Sequence, residues 1–333
     1  MTNWEGLENR IDLIKKRFPS GRRKLIKIFF IIIWIAFLAA ILWGAWQNHQ
    51  IILPYLAGAD LIYLVGVLLS YVISLISVVI VWALIMTKLK VPVNFWTNIQ
   101  VYCLTLAARR LPGTIWYVGG RLIVYQRLKV SKSVVLIASI LEFILILISG
   151  GITGVLFFSM AGIINSFLAI ASITGIILIS ILIIPTLARK YNSYANGLEV
   201  IRSVSILSIS GWIMGYMVTW IMGGVMIVYL VKIFQIVEWN DYLFIIGAWA
   251  ISGIAGALTF FLPSSFGITE ISLTALLSTI MPFPLAGVIA ISARLITLTL
   301  EVLLSLIFVP FSMKLTKENP VTTEVGYHDS SVR

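Results

Sequence analysis

Apolar residues run along this chain in long blocks, not at the three- and four-residue steps of a surface helix. Blocks at about 25–46, 61–86, 133–158, 160–184, 204–231 and 284–311 are nearly free of charge. Each reaches the length of roughly 20 residues at which a helix crosses a bilayer. No alternation of the outer-membrane barrel kind occurs, so helical spans are predicted. Two further stretches, 94–128 and 243–281, are composite. Each is apolar but broken once by a Leu-Pro pair followed by small residues: Leu111-Pro112-Gly113 in the first, and Leu262-Pro263-Ser264-Ser265 in the second.

The first composite stretch holds Arg109, Arg110 and Arg121 besides its proline and three glycines. Charges at mid-membrane cost roughly 2.5–3.5 kcal/mol each on insertion scales, so an ordinary span there is unfavourable. Two half-helices, 94–108 descending and 114–126 returning, would place the Leu-Pro turn at depth against protein or a wet cavity. The second stretch is compatible with a hairpin of the same kind or with two full spans.

Composition agrees with the block pattern. Hydrophobic residues make up 60% of the 333 and charged ones 11%, and mean hydropathy is +1.05, which excludes an ordinary water-soluble domain. The net charge of +11 is not a nucleic-acid signal, because the Lys and Arg residues flank spans and alternate between sides. A single cysteine, Cys103, excludes a disulfide framework, and His49 and His328 are too few for a metal centre. No metal or cofactor is expected.

The leader to Lys27 holds eight basic residues and the loop 47–60 none, which places the N-terminus in the cytoplasm. Region 87–132, the loop bearing Arg189, Lys190 and Arg202, and the tail with Lys314 and Lys317 then fall on the same side. Residues 1–24 place Trp4, Leu7, Ile11, Ile14 and Phe18 on one helical face with bases elsewhere, as a helix lying on an anionic membrane surface would. Residues 312–333 form a polar tail. The membrane portion divides into two units, 25–158 and 159–311, each ordered span, span, composite stretch, span. The first unit starts inside and the second outside, the arrangement of an inverted repeat. The expected fold is an all-α polytopic membrane protein: six to eight transmembrane helices with one or two re-entrant hairpins in an inverted repeat, set in the cytoplasmic membrane with both termini in the cytoplasm.

Charges inside apolar blocks are the candidate chemistry. Glu142 and Arg294 each lie near the middle of a long block, Glu270 soon after the second break, and Glu301 two turns beyond Arg294. Under the repeat, Arg121 corresponds to Glu270 and Glu142 to Arg294, so equivalent sites carry opposite charge. Cross-pairing of Arg121 with Glu270, and of Glu142 with Arg294, would neutralise the core. In the functional reading, Arg109, Arg110, Arg121 and Arg294 bind an anionic head group beside Pro112, Gly113, Pro263, Ser264 and Ser265. Glu142, Glu270 and Glu301 then serve as counter-charges or proton carriers. In the structural reading the same charges are ion pairs without a ligand.

Arg110-Leu111-Pro112-Gly113, continuing through Gly120-Arg121-Leu122 to Glu142, resembles the first signature of the lysylphosphatidylglycerol synthase transmembrane family, also called the flippase-like domain family. Phe261-Leu262-Pro263-Ser264-Ser265-Phe266-Gly267-Ile268-Thr269-Glu270, followed by Ala293-Arg294-Leu295, is similar to its second, with Pro-Ser-Ser-Phe-Gly in place of a more glycine-rich run. The resemblance covers about residues 25–311. It implies a domain that moves a lipid or lipid-linked compound between leaflets, in a stand-alone member without the aminoacyl-transferase domain. The implied cargo is an anionic membrane lipid or a polyprenyl-phosphate-linked glycan precursor, with a lipid- or glycan-biosynthesis enzyme as a partner and no nucleic acid. Two other functions share these residues. One is an integral-membrane head-group transferase using Asp60, Glu238 or Asp241. The other is an ion-coupled small-solute transporter.

Overall fold

A computed structural model describes residues 46, 50, 60–110, 115–176, 205–234, 238–259 and 267–311, with the side chains of 109–110 and 115–116 excepted. The surface leader, the first span, the two Leu-Pro turns with Gly113, Ser264 and Ser265, the basic loop at Arg189 and the tail lie outside the described residues.

Among the described residues every regular element is helical: α1 Tyr63–Lys88, α2 Phe95–Leu106 with a 3-10 turn Ala107–Arg110, α3 Ile115–Arg127, α4 Lys132–Met160, α5 Ser166–Ile176, α6 Ile206–Lys232, α7 Trp239–Leu258, α8 Ile268–Leu277 and α9 Phe283–Ile307. Five of them, α1, α4, α6, α7 and α9, are long and apolar enough to cross a membrane. That is the make-up of a multi-pass membrane protein.

Helix α1 shows why apolar blocks carry little periodicity here. Its outward stripe, Leu64, Leu68, Val72, Ile76, Ile80 and Leu84, is exposed, as a lipid-facing surface requires and a water-facing one would not tolerate. Its inward stripe carries the polar groups, with Ser70, Tyr71 and Ser74 all buried. Apolar residues on both faces flatten the sequence signal, while hydroxyls and small residues hold the helix contacts. Ser74 Oγ donates to the Thr219 carbonyl at 2.9 Å and Ser77 Oγ to that of Gly215 at 2.7 Å. Nearer the helix ends, the Asp60 amide donates to the Ile233 carbonyl at 3.0 Å. Partners descend along α6 as residues ascend along α1, so the two helices are antiparallel. Glycine lets backbones approach at one neighbouring seam: a Cβ at Gly224 of α6 would sit 2.7 Å from Ile246 Cα of α7.

Helix starts are set locally. The Asn94 side chain accepts the Thr97 amide at 2.7 Å, and Ser205 does the same for Ser208 at 3.2 Å. Asp241 and Glu238 cap α7 reciprocally, which starts that helix at Trp239 and not near 243 as the hydropathy block suggests. The second composite stretch is therefore unequal: α7 has 20 residues and α8 only 10. Its counterpart is made of two short helices, α2 with 12 residues and α3 with 13. At 1.5 Å per residue, neither of these crosses roughly 30 Å of hydrocarbon.

Helix α1 packs mainly on α6 and α7 mainly on α4; α2 packs on α1 and α9, α3 on α4 and α2, and α8 on α7 and α9. Phe158 stacks on Phe244 at 5.5 Å between centroids, while a Cβ on Gly150 would meet Ile254, so α4 and α7 are also antiparallel.

Candidate functional site

Two ion pairs lie inside the helix bundle, and each joins two consecutive helices. Arg121 of α3 pairs with Glu142 of α4, and Glu270 of α8 with Arg294 of α9. This corrects the expected cross-pairing. The residue after each break reaches the helix that follows it in sequence, because α3 packs on α4 and α8 on α9. Along the chain the arginine comes first in one pair and the glutamate first in the other.

The first pair is closed in. Tyr117, Arg121 and Tyr125 recur at i, i+4 and i+8 of α3, which sets them on one face. The Arg121 guanidinium carbon lies 3.8 Å from the Trp82 ring centroid and 4.4 Å from those of both Tyr102 and Tyr117. Such stacking suits a planar delocalised cation. Its Nη1 donates to Glu142 Oε2, its Nη2 lies 3.4 Å from Oε1, and the Tyr117 hydroxyl donates to Oε2 at 3.1 Å. A chain of hydrogen bonds backs the cage: Trp82 Nε1 donates to the Tyr125 hydroxyl at 3.0 Å, which donates to Asn98 Oδ1 at 2.8 Å. Both charged side chains are 1% exposed.

The second pair faces a cavity. Gly267 adopts φ 102°, a left-handed conformation that glycine alone takes easily, and α8 begins there. Glu270, three residues on, reaches back so that its Oε2 accepts the Gly267 amide at 3.0 Å. Its Oε1 lies 3.2 Å from Arg294 Nε, and the arginine side chain is 25% exposed. Helix α9 continues as a polar stripe below Arg294. Glu301 Oε1 accepts the Tyr71 hydroxyl at 2.6 Å, and Ser305 Oγ both donates to the Cys103 carbonyl at 2.8 Å and accepts the Ala107 amide at 2.9 Å. These bonds tie α9 to α1 and α2.

The cavity has a volume of about 240 Å³ and lies where α1, α3, α4, α6, α7, α8 and α9 meet. Its charged lining among the described residues is Glu270, Arg294 and Glu301; Tyr71, Tyr117, Tyr216, Trp220 and Trp249 supply rings. Tyr216 is fully buried, and its hydroxyl has no hydrogen-bond partner.

Of the residues singled out by sequence, Glu270, Arg294 and Glu301 come together on this cavity. Arg121 and Glu142 sit outside its lining, with Tyr117 shared between cage and cavity wall. The side chains of Arg109 and Arg110, and Pro112, Gly113, Pro263, Ser264 and Ser265, lie outside the described residues. Sequence reasoning missed Trp82, Tyr102, Tyr71 and Tyr216. The four-residue step Tyr117, Arg121, Tyr125 was an available signal for the cage; nothing local flags Tyr216. Among the described residues no His, Cys, Asp and Glu side chains gather as metal ligands would. Comparison with known protein families and with curated proteins finds no match for this chain.

Proposed function

We propose that this protein moves a phosphate-bearing membrane lipid, or a lipid-linked glycan precursor, between leaflets. The observation that carries the reading is an ion pair on the wall of an intramembrane cavity, where helices of both halves converge. Ionisable groups at such depth are expensive and are kept where they meet a cargo or a coupling ion. A structural pair needs no cavity, as Arg121 and Glu142 illustrate.

Several features support an inverted repeat with re-entrant segments. The equivalent helices α1 and α6 pack antiparallel, and α2 packs on α9 as α7 packs on α4, the exchange that a two-fold axis between the halves produces. Helices α2 and α3 are too short to cross singly and flank the first Leu-Pro turn. The basic segments support cytoplasmic termini in a cytoplasmic membrane. The motifs around Gly267, Glu270 and Arg294 resemble those of the lysylphosphatidylglycerol synthase transmembrane family, which favours a lipid as cargo. Arg294 would hold the phosphate, while Glu270 and Glu301 act as counter-charges.

The head-group transferase reading has less support. Asp60 Oδ1 accepts the Ile62 amide in the turn before α1, and Asp241 Oδ2 accepts the Glu238 amide in the cap of α7, so both acids are engaged by backbone at helix starts. The experiment is reconstitution into vesicles with labelled phospholipids and a labelled polyprenyl phosphate. Translocation should exceed that of empty vesicles for at least one lipid and fall about tenfold or more in Arg294→Gln. Rates equal to empty vesicles across all of these lipids would overturn the proposal.

A further inference from the structure

The end of α2 holds a hydroxyl that belongs to another helix. In a continued α-helix the Ala107 amide would donate to the Cys103 carbonyl, four residues back. Here Ser305 of α9 stands between them: its Oγ accepts the Ala107 amide at 2.9 Å and donates to the Cys103 carbonyl at 2.8 Å. From that point the chain follows the 3-10 turn Ala107–Arg110. A side chain inserted into the i→i−4 ladder bends a helix, and within a membrane the hydroxyls of neighbouring helices satisfy the backbone groups so freed.

We infer that Ser305 is the positioning residue of a two-state joint, whose hydroxyl enters and leaves the Cys103–Ala107 bond as α9 shifts with the occupancy of the cavity. This rests on the reading of the cavity as a cargo site and adds the part that moves. The joint is balanced because both states satisfy the same groups. With Ser305 withdrawn, the Ala107 amide and the Cys103 carbonyl bond each other, and the Ser305 hydroxyl turns to the Glu301 carbonyl one turn back on its own helix. No buried donor or acceptor is stranded in either state, which is the condition for a bistable element. Converting the 3-10 turn to α-helix shortens it by about 2 Å and turns its end by roughly 80°, a displacement delivered to the backbone at Arg110.

The place of Ser305 on α9 supplies the link to the cavity. Arg294, Thr297, Glu301 and Ser305 follow at steps of three and four residues, which sets them on one face of the helix. The first three line the cavity. Ser305 lies roughly 16 Å further along the axis than Arg294, buried against α2. Helix α9 packs mainly on α8 and α2, so a shift of α9 at the cavity is felt at the end of α2. A rigid helix that meets cargo along one part carries its hydroxyl into or out of the ladder at another.

The test compares the unaltered full-length protein with Ser305→Ala and Ser305→Thr. It records amide hydrogen exchange across residues 104–110 in detergent, and movement of labelled phospholipids and a labelled polyprenyl phosphate in vesicles. Ser305→Ala lets the ladder close, so the amides of 107–110 should exchange about tenfold more slowly while the unfolding temperature stays unchanged. Translocation should fall about tenfold, with the half-saturating lipid concentration unchanged because the cavity keeps its lining. Ser305→Thr keeps the hydroxyl and should restore both readouts. A hydroxyl that only braces the helices predicts the opposite for Ser305→Ala: faster exchange, a lower unfolding temperature and no selective loss of rate. Unchanged or faster exchange in Ser305→Ala, its failure to fold, or full translocation by it would overturn the inference. If exchange is unchanged while translocation still depends on Arg294, the joint is overturned and lipid transport stands. Slower exchange in Ser305→Ala, with no lipid moved by the unaltered protein, supports the joint and overturns lipid transport.

Discussion

The Arg121–Glu142 and Glu270–Arg294 pairs each join a short helix to the long helix that follows it, with the order of the signs reversed, yet their surroundings differ. The first arginine is pressed between three aromatic rings and is 1% exposed. The second reaches a cavity and is 25% exposed. One pair is closed in among rings and the other lies on a cavity wall. The contrast teaches that charge inside a membrane helix is not by itself a site. What surrounds the charge decides whether it can exchange partners: ring faces and a hydroxyl for Arg121 and Glu142, a cavity for Glu270 and Arg294.

The sharpest way to break this contrast is to neutralise the acid of each pair. Glu142→Gln leaves a buried guanidinium without its counter-charge and should cost about 3–5 kcal/mol, seen as a lower unfolding temperature or loss of folded protein in detergent. Glu270→Gln should cost only about 1 kcal/mol, because the amide oxygen can still accept the Gly267 amide and Arg294 faces the cavity. Comparable losses in both variants would remove the distinction.

Smaller changes grade it. Arg121→Lys keeps the charge but gives up planar stacking and the two-point contact with Glu142, for a predicted loss of about 2 kcal/mol. In Tyr117→Phe the ring stays and the hydrogen bond to Glu142 Oε2 goes. About 1.5 kcal/mol should be lost, measured by thermal unfolding. The smallest effect is expected for Tyr216→Phe. Removing an unpartnered buried hydroxyl should leave stability unchanged within about 0.5 kcal/mol or raise it slightly, so a clear destabilisation there would show that the hydroxyl is already satisfied.

How much of this was legible in sequence follows from what each signal depends on. Span positions depend on local hydropathy, and α1, α4, α6 and α9 fall within a few residues of the expected blocks. Helix starts depend on capping, and the Glu238/Asp241 box starts α7 at Trp239, ahead of the hydropathy block at 243. The motif Gly267-Ile-Thr-Glu270 has a local physical cause in the left-handed glycine and the carboxylate that returns to its amide. Ion-pair partners were not legible in the same way. The sequence supplies four charges, and which two meet depends on which helices pack together. The cross-paired expectation treated positions matched by the expected repeat as neighbours, whereas each pair joins consecutive helices. The aromatic cage lies on three helices, with Trp82 on α1, Tyr102 on α2 and Tyr117 on α3, and only its share of α3 shows a spacing that could be read in advance.

Exchange of lysine for arginine at the two positions tests the central claim most directly, with unfolding temperature and lipid translocation in vesicles recorded on the same preparations. Arg121→Lys should lower the unfolding temperature and leave translocation per folded molecule unchanged. Arg294→Lys should leave the unfolding temperature within error and lower translocation about tenfold. Full translocation by Arg294→Lys, or its loss in an Arg121→Lys variant of undiminished stability, would contradict the assignment of scaffold to the first pair and ligand site to the second.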